Sequence, residues 1–321
     1  MKSKKIKKRT WFLFAILLIV LTGVLIWKSI RSSCAVSCQS GAGLPPSPYA
    51  EQDRVMKAIS LSYLVYGCET CEGLTGTVSE LLDTNRMGIV AENFGIRRTE
   101  PENPSSALFE SSEFIRRHTG DFRFLTSLCD RESGFYGAAF CDDASRCVWI
   151  AYSGAVSAKD MVACAALVLA PRLSSQERSA FAFYETVMDS TEVKNQSYTV
   201  VLTGHSLGGA LASMVSLASG CAAITINGAD GVAIDKMNGI LGNAPEEYQI
   251  SNYMTSPDNG KFSLMDLVQR FMFLGSYKAA DYHIYNENGL TDDTHCVFSF
   301  IRYADDRYQE PELPVPVEEH P

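Results

Sequence analysis

The chain lacks the residue pattern of a zinc site. It contains only five histidines among 321 residues, and its lone CxxC motif, Cys68–Cys71, has no second CxxC motif and no pair of histidines nearby. The motif also lacks the strand–helix–strand setting of a thioredoxin-like redox centre. We therefore expect no metal site at these cysteines.

Basic residues are scarce beyond the N-terminus. Eight of the 28 Lys and Arg residues lie in residues 1–31, which hold no acidic residue, so the remaining chain carries 20 basic against 37 acidic residues. A surface with this excess of negative charge repels nucleic acid. We therefore expect no nucleic-acid partner.

An uncharged apolar stretch of 17 residues runs from Trp11 to Trp27. As a helix it would span roughly 26 Å, close to the lower limit for crossing a bilayer. Six positive charges precede it, and the positive-inside rule then places the N-terminus in the cytoplasm and the rest of the chain outside. A cleaved signal peptide is the alternative, but Lys28 and Arg31 occupy positions where small residues should precede a cleavage site. We therefore predict a single-pass protein of the cell membrane.

The chain contains ten cysteines, an even number. In an exported domain an even count is typical of structural disulfides. We expect at least some of them to be paired, although the sequence does not reveal which. The cysteines are residues 34, 38, 68, 71, 129, 141, 147, 164, 221 and 296.

The remaining sequence predicts one α/β domain between two irregular segments. Helix-like and strand-like stretches alternate along the chain, which is typical of a mostly parallel sheet flanked by helices. The pattern within residues 85–137 is mixed and predicts no definite element. The predicted parts are a basic cytoplasmic segment (1–10), an anchor (11–27), a linker (28–50), the α/β domain (51–304) and an acidic, Pro-rich tail (305–321). Helices are predicted at 52–66, 177–188 and 208–219, and strands at 138–141, 147–152, 198–203, 222–226, 248–254 and 281–286.

The motif that carries chemistry is Gly-His-Ser-Leu-Gly at residues 204–208. A β-branched apolar strand precedes it and an Ala- and Leu-rich helix follows, which is the setting of a nucleophile on a sharp strand-to-helix turn. The turn needs Gly204 and Gly208 because a Cβ at either position would collide across it. The start of the helix adds partial positive charge where an oxyanion develops. Ser206 is therefore the predicted nucleophile of a hydrolase.

The sequence around this motif resembles the class 3 lipases, the fungal triacylglycerol lipase-like group. The stretch Thr-Gly-His-Ser-Leu-Gly-Gly-Ala at 203–210 looks like the nucleophile elbow of that family, the sharp strand-to-helix turn that carries the catalytic serine. The segment 149–155, followed by Asp160, resembles the family's strand and oxyanion turn. The likeness extends over roughly residues 50–303. It implies an α/β-hydrolase fold and hydrolysis of carboxylic esters, with acylglycerols or phospholipids as expected substrates.

The oxyanion turn departs from the family pattern at two positions. Ser153 stands where the family usually has Arg, and Ala155 stands where it has a hydroxyl residue. The backbone N–H groups of Ala155 and Leu207 are then the predicted oxyanion hole. Because one lost donor costs about 10²–10³ in kcat elsewhere, we expect modest activity.

The acid and the base should follow Ser206 in chain order. Asp258 comes just after a predicted strand, at the edge of the sheet where such sites gather, and it resembles the family's catalytic Asp. Asp230 is the alternative. His295, in a polar loop before an apolar run, is the predicted base and resembles the family's catalytic His. His283, within a predicted strand, is the alternative.

The triad of Ser206, Asp258 and His295 needs no cofactor. The expected substrate is a lipid or a small ester, and no protein partner can be named from the sequence. The apolar segment 161–170 follows the oxyanion turn, where family members carry a lid, although a buried helix packed on the sheet is an interpretation at least as strong. The alternative functions are a soluble-substrate esterase, thioesterase or amidase, and a lipase-like binding protein that has lost activity.

Overall fold

The computed structural model describes residues 48–70, 73–84, 104–155, 167, 170, 172–242, 249–257, 280–286 and 301. Within them lies a seven-stranded sheet whose strands are arranged side by side in chain order. The strands are β1 (Arg123–Asp130), β2 (Phe135–Asp142), β3 (Cys147–Tyr152), β4 (Thr199–His205), β5 (Ala222–Ile226), β6 (Ile250–Pro257) and β7 (Ala280–Asn286). The helices are α1 (Pro48–Leu64), a 3₁₀ helix (Val65–Thr70), α2 (Val78–Asp83), α3 (Pro104–Thr119), α4 (Ser175–Met188), α5 (Thr191–Gln196), α6 (Leu207–Ser219) and α7 (Asp230–Leu241).

The sheet is antiparallel at its start and parallel through the rest. Strands β1, β2 and β3 pair antiparallel, whereas β3 to β7 are all parallel. Parallel neighbours need crossover connections, and α6 and α7 supply those between β4, β5 and β6. This is an α/β fold with a mostly parallel sheet flanked by helices, as the sequence predicts.

Two apolar cores cover the two faces of the sheet. On one face, α1, α2 and α3 pack against the strands, and on the other face α4, α6 and α7 do so. Strand β3 is buried at all six positions, which confirms the prediction from its continuous apolar sequence. The β4–α6 turn therefore lies at the edge of a sheet that is covered on both sides.

The observed helix and strand ends differ from the predicted ones by a few residues. Helix α1 begins at Pro48, inside the predicted linker, and Pro is well suited to a first helical turn because it has no N–H to donate. Helix α7 was not predicted, since Gly231 and Gly239 interrupt its helical pattern. Helix α3 and strand β1 lie largely in the stretch whose sequence pattern was mixed.

The predicted membrane anchor, residues 11–27, lies outside the described residues. None of the helices in the described part of the chain has both the length and the apolar character needed to cross a bilayer. The cytoplasmic segment 1–10 and the tail 305–321 also lie outside it.

Four cysteines are free thiols: Cys129, Cys141, Cys147 and Cys221. Cys141 and Cys147 lie on neighbouring strands, but they belong to the cores on opposite faces of the sheet and cannot meet. The prediction that some cysteines form disulfides therefore applies to the other six, whose side chains lie outside the described part of the structure.

Candidate active site

Ser206 occupies the turn between β4 and α6 with a strained backbone. Its φ is 56° and its ψ is −121°, a region that side-chain-bearing residues rarely adopt. Its N–H donates to the Ile226 carbonyl oxygen at 3.1 Å, and its own carbonyl oxygen accepts from the N–H groups of Ala210 (3.2 Å) and Ala229 (3.3 Å). The side chain is partly exposed and does not cap the helix. The surrounding backbone thus holds a serine in the conformation expected of a nucleophile elbow.

The glycines on either side of Ser206 permit the turn. A Cβ at Gly204 would lie 2.5 Å from the Gly208 carbonyl oxygen and 2.8 Å from that of Tyr152. A Cβ at Gly208 would overlap the Tyr152 carbonyl oxygen as well. Because the atoms contacted belong to the backbone, a side chain at either position would force the turn to shift.

Gly209 brings α6 close to the next loop of the sheet. A Cβ there would come within 2.5 Å of the Gly228 Cα and 3.3 Å of the Thr225 side chain. The Asn252 side-chain amide forms two hydrogen bonds with the backbone of Gly228. Its Nδ2 donates to the Gly228 carbonyl oxygen (3.0 Å), and its Oδ1 accepts from the Gly228 N–H (3.2 Å). Asn252 thus fixes the loop that supports the elbow, a role that a single polar residue in a strand does not reveal in the sequence.

The predicted oxyanion turn, Ser153 to Ala155, begins beside the elbow. Strands β3 and β4 are parallel neighbours, and Tyr152 is in register with Gly204. The Ser153 N–H donates to the Tyr136 carbonyl oxygen at 3.0 Å, which ties the turn to β2. Ser153 is 3% exposed, and its hydroxyl donates to the Gly154 carbonyl oxygen at 3.1 Å, so its side chain is buried within the turn.

The two predicted oxyanion donors belong to the two neighbouring segments, Leu207 to the elbow and Ala155 to the oxyanion turn. Leu207 is the first residue of α6, and first-turn N–H groups have no partner within their own helix. Ala155 is half-buried and packs against the core beneath α6. Both backbone N–H groups belong to segments that start at the carboxyl ends of adjacent parallel strands.

His205 faces away from α6, toward the face of the sheet that α1 covers. Its side chain is 4% exposed, and its Nδ1 lies 2.8 Å from the hydroxyl oxygen of Tyr66. The sequence offers no signal for this contact, because the two residues are 139 positions apart and Tyr66 is only the last residue of a predicted helix.

Asp230, the alternative acid, is buried at the start of α7. Its Oδ2 accepts a hydrogen bond of 2.5 Å from the Thr225 hydroxyl, and its Oδ1 lies close to where a Gly228 Cβ would be. Thr225 and Gly228 both lie under α6, so this carboxylate is placed within the core on the helix side of the elbow.

Asp258, the predicted acid, lies outside the described residues. It directly follows β6, which ends at the same edge of the sheet as the β4–α6 turn. The register aligns His205 with Ile226, and Ile226 with Tyr253. Strand β6 continues four residues beyond that level, to Pro257. The strand that leads to Asp258 therefore projects past the end of β4.

His295, the predicted base, also lies outside the described residues, as does Asp160. His283 lies in β7, which confirms the predicted strand, and it is in register with Met254. Strand β7 is three strands away from β4, or roughly 14 Å at the usual spacing.

The segment 161–170 is described at only two positions. Leu167 is 1% exposed and belongs to the core beneath α6, and Ala170 is half-buried. Among the described residues, no group of three or more His, Cys, Asp or Glu side chains is arranged to hold a metal ion.

Residues 149–219 match the family model of the class 3 lipases, described as Lipase (class 3). The matched segment runs from β3 to the end of α6 and contains both predicted oxyanion residues and the elbow. It confirms the resemblance seen in the sequence. No match was found among curated proteins.

Several solved fungal lipases are similar in structure. Lipase II from Rhizopus niveus is 13% identical, with a TM-score of 0.43 over 74% of this chain and 82% of that one. The Rhizomucor miehei lipase–propeptide complex is 14% identical, with a TM-score of 0.40 over 84% and 82%. The mono- and diacylglycerol lipase from Aspergillus oryzae is 13% identical, with a TM-score of 0.38 over 66% and 72%.

Proposed function

We propose that this chain, a class 3 lipase-like carboxylic ester hydrolase, uses Ser206 as its nucleophile and cleaves lipid esters. The observation that carries the proposal is the strained backbone of Ser206, which is held by hydrogen bonds and flanked by Gly204 and Gly208, where a Cβ would collide with the backbone. A serine held in this way at the start of a helix has its hydroxyl directed out of the turn.

In the proposed reaction, the imidazole of His295 removes the Ser206 proton while the Ser206 oxygen attacks the ester carbonyl. The N–H groups of Leu207 and Ala155 stabilise the oxyanion. The imidazolium then gives its proton to the leaving alcohol, and an acyl-enzyme remains. Water, activated by the same imidazole, releases the acid. Asp258 orients the imidazole and stabilises its charged form.

Two features support Asp258 and His295 over their alternatives. The Asp230 carboxylate lies inside the core, where it accepts a hydrogen bond from the Thr225 hydroxyl. Strand β6, in contrast, projects past the elbow and ends directly before Asp258. The Cα of His283 is held in β7, three strands from β4, whereas a residue on a loop can reach back over the strand ends.

Hydrolysis of p-nitrophenyl esters tests the proposal. The wild-type protein should release p-nitrophenol, and Ser206→Ala should lower kcat by about 10⁴-fold or more. Ser219→Ala, at the other end of α6, is the matched control and should keep full activity. A Ser206→Ala variant as active as wild type would overturn the proposal. An inert wild-type protein would favour a lipase-like binding protein.

Chain length separates a lipase from an esterase of soluble substrates. Short alkyl chains make soluble substrates and long ones form aggregates, so a lipase should prefer the long esters. A preference for short esters, with no rise in rate as the substrate aggregates, would favour the soluble-substrate alternative.

The proposed location is the cell membrane, with residues 11–27 as the anchor and the catalytic domain outside the cytoplasm. The support is the distribution of Lys and Arg around that stretch. Protease added to intact cells or spheroplasts should digest the domain. Complete protection would contradict this topology.

A further inference from the structure

The hydroxyl group of Tyr66 lies where the oxyanion turn meets the nucleophile elbow. Tyr66 is in the 3₁₀ helix that follows α1, and its Oη is 2.8 Å from Nδ1 of His205, the residue before Ser206. Tyr66 is 9% exposed and His205 is 4% exposed. The hydrogen bond is therefore shielded from water and strengthened by the low local dielectric.

The same hydroxyl group also contacts the turn on the other side. A Cβ at Gly154 would overlap Tyr66 Oη and would lie 2.6 Å from the carbonyl oxygen of His205. Gly154 thus packs against both partners of the Tyr66–His205 hydrogen bond. It is the residue directly before Ala155, one of the two proposed oxyanion donors.

Backbone contacts also anchor both sides of the site, and the pairing of β3 with β4 places Tyr152 beside Gly204. The Ser153 N–H ties the turn to Tyr136 in β2, and the Ser206 N–H ties the elbow to Ile226 in β5. Tyr66 adds a side-chain link, because its hydroxyl bonds to His205 of the elbow and packs against Gly154 of the turn. The spacing between the turn and the elbow determines whether two N–H groups from different segments point at one oxyanion.

We propose that Tyr66 is a positioning residue, whose hydrogen bond to His205 fixes the oxyanion turn against the nucleophile elbow. The inference rests on the proposed ester hydrolysis at Ser206. A misplacement of about 1 Å in a catalytic group can cost 10²-fold in rate, whereas a buried group that loses its hydrogen-bond partner costs about 1–3 kcal/mol in stability. Loss of the hydroxyl should therefore slow the reaction in a protein that is still folded.

Tyr66→Phe tests this directly, because it removes the hydroxyl and keeps the ring in its place. On a soluble short-chain ester, kcat should fall about 10–100-fold while KM stays near the wild-type value and the thermal midpoint falls by a few degrees. Tyr184→Phe is the matched control. Its hydroxyl lies 3.4 Å from Sγ of Cys221 on the opposite face of the sheet, and its removal should leave kcat unchanged.

A double-mutant cycle with His205 separates positioning from packing. His205→Leu removes the same hydrogen bond from the other side, so the double variant should be scarcely slower than either single variant. His205→Asn keeps a hydrogen-bonding atom near the place of Nδ1 and should retain more kcat than His205→Leu.

Three results would overturn the inference. The first is a folded Tyr66→Phe variant with wild-type kcat, and the second is a double variant whose losses multiply. The third is a parallel change of kcat, KM and thermal midpoint, which would indicate general loosening. In each case wild-type activity at Ser206 would still uphold the proposed function. A wild-type protein inert to esters would overturn both proposals.

Discussion

Gly208, in the first turn of α6, lies so close to the last residue of β3, Tyr152, that a Cβ would overlap the Tyr152 carbonyl oxygen. Gly208→Ala should therefore push α6 away from β3 and move the elbow. We expect a loss of several kcal/mol in the free energy of unfolding, as for other severe overpacking. Urea unfolding followed by circular dichroism measures it.

Gly239 in α7 provides the matched control, because nothing lies within 4 Å of where its Cβ would be. Gly239→Ala should stabilise the protein by about 0.4–1 kcal/mol, since alanine has the higher helix propensity. Equal effects of the two substitutions would show that α6 is not held closely against β3.

Lys236 and Glu177 form a buried ion pair between α7 and α4. Their Nζ and Oε1 atoms are 2.7 Å apart, and the side chains are 5% and 3% exposed. Glu177 also closes the capping box at the start of α4. Lys236→Met leaves this carboxylate buried without its cation and should cost about 3–5 kcal/mol in the free energy of unfolding.

The exposed pair of Lys194 and Asp189 is the control for this prediction. Their charged atoms are 2.9 Å apart, but the side chains are 63% and 76% exposed. Lys194→Met should change the stability by less than about 1 kcal/mol. A small effect of Lys236→Met as well would contradict the buried pairing of α4 with α7.

Asp142 at the end of β2 should make stability depend on acid pH. Burial by itself would raise the pKa of its carboxyl, but hydrogen bonds from Ser145 and Lys57 outweigh burial and lower the pKa. A folded pKa below the unfolded value of about 3.9 means that the contribution is complete above that pH and is lost as the pH falls through the folded pKa. Asp142→Asn should cost about 1–3 kcal/mol at pH 7.

The gap in stability between wild type and Asp142→Asn should narrow as the pH falls below about 4. Urea unfolding at a series of pH values measures it. A gap that stays constant down to pH 3 would show that the Lys57 contact does not favour the charged carboxylate.

The two candidate acids should respond differently to substitution. Asp258→Asn should lower kcat by about 10⁴-fold and leave the fold intact, because an Asn in this role favours the wrong tautomer of the histidine. Asp230→Asn replaces one carboxylate oxygen in the core by an NH2 group, which weakens the hydrogen bond from Thr225 and should mainly lower the thermal midpoint. Paired measurements of kcat and thermal midpoint decide between them, and the reverse pattern would transfer the acid's role to Asp230.

The sequence predicts those parts of the site that depend on neighbours along the chain. The GxSxG motif is a local turn, and its glycines are needed for contacts within a few residues, so Ser206 and its glycines could be placed from the sequence. Strand β3 was predicted for a similar reason, since a continuous apolar run indicates a strand buried on both faces.

Contacts between distant segments could not be predicted in this way. Tyr66 and His205 meet only because α1 packs across the sheet, and Asn252 meets Gly228 only because β6 pairs with β5. The periodicity of either segment says nothing about which residue of the other it will contact. Helix α7 was missed for a different reason, because tertiary packing of Ala233, Ile234 and Met237 outweighs its two glycines.

The central claim, that Ser206 is an activated nucleophile, is tested most directly by mapping a fluorophosphonate adduct by mass spectrometry. The folded protein should carry one phosphonate group, on the peptide that contains Ser206, and heat-denatured protein should carry none. The Ser206→Ala variant should remain unlabelled. An unlabelled wild-type protein, or an adduct that persists on another residue in Ser206→Ala, would contradict the account.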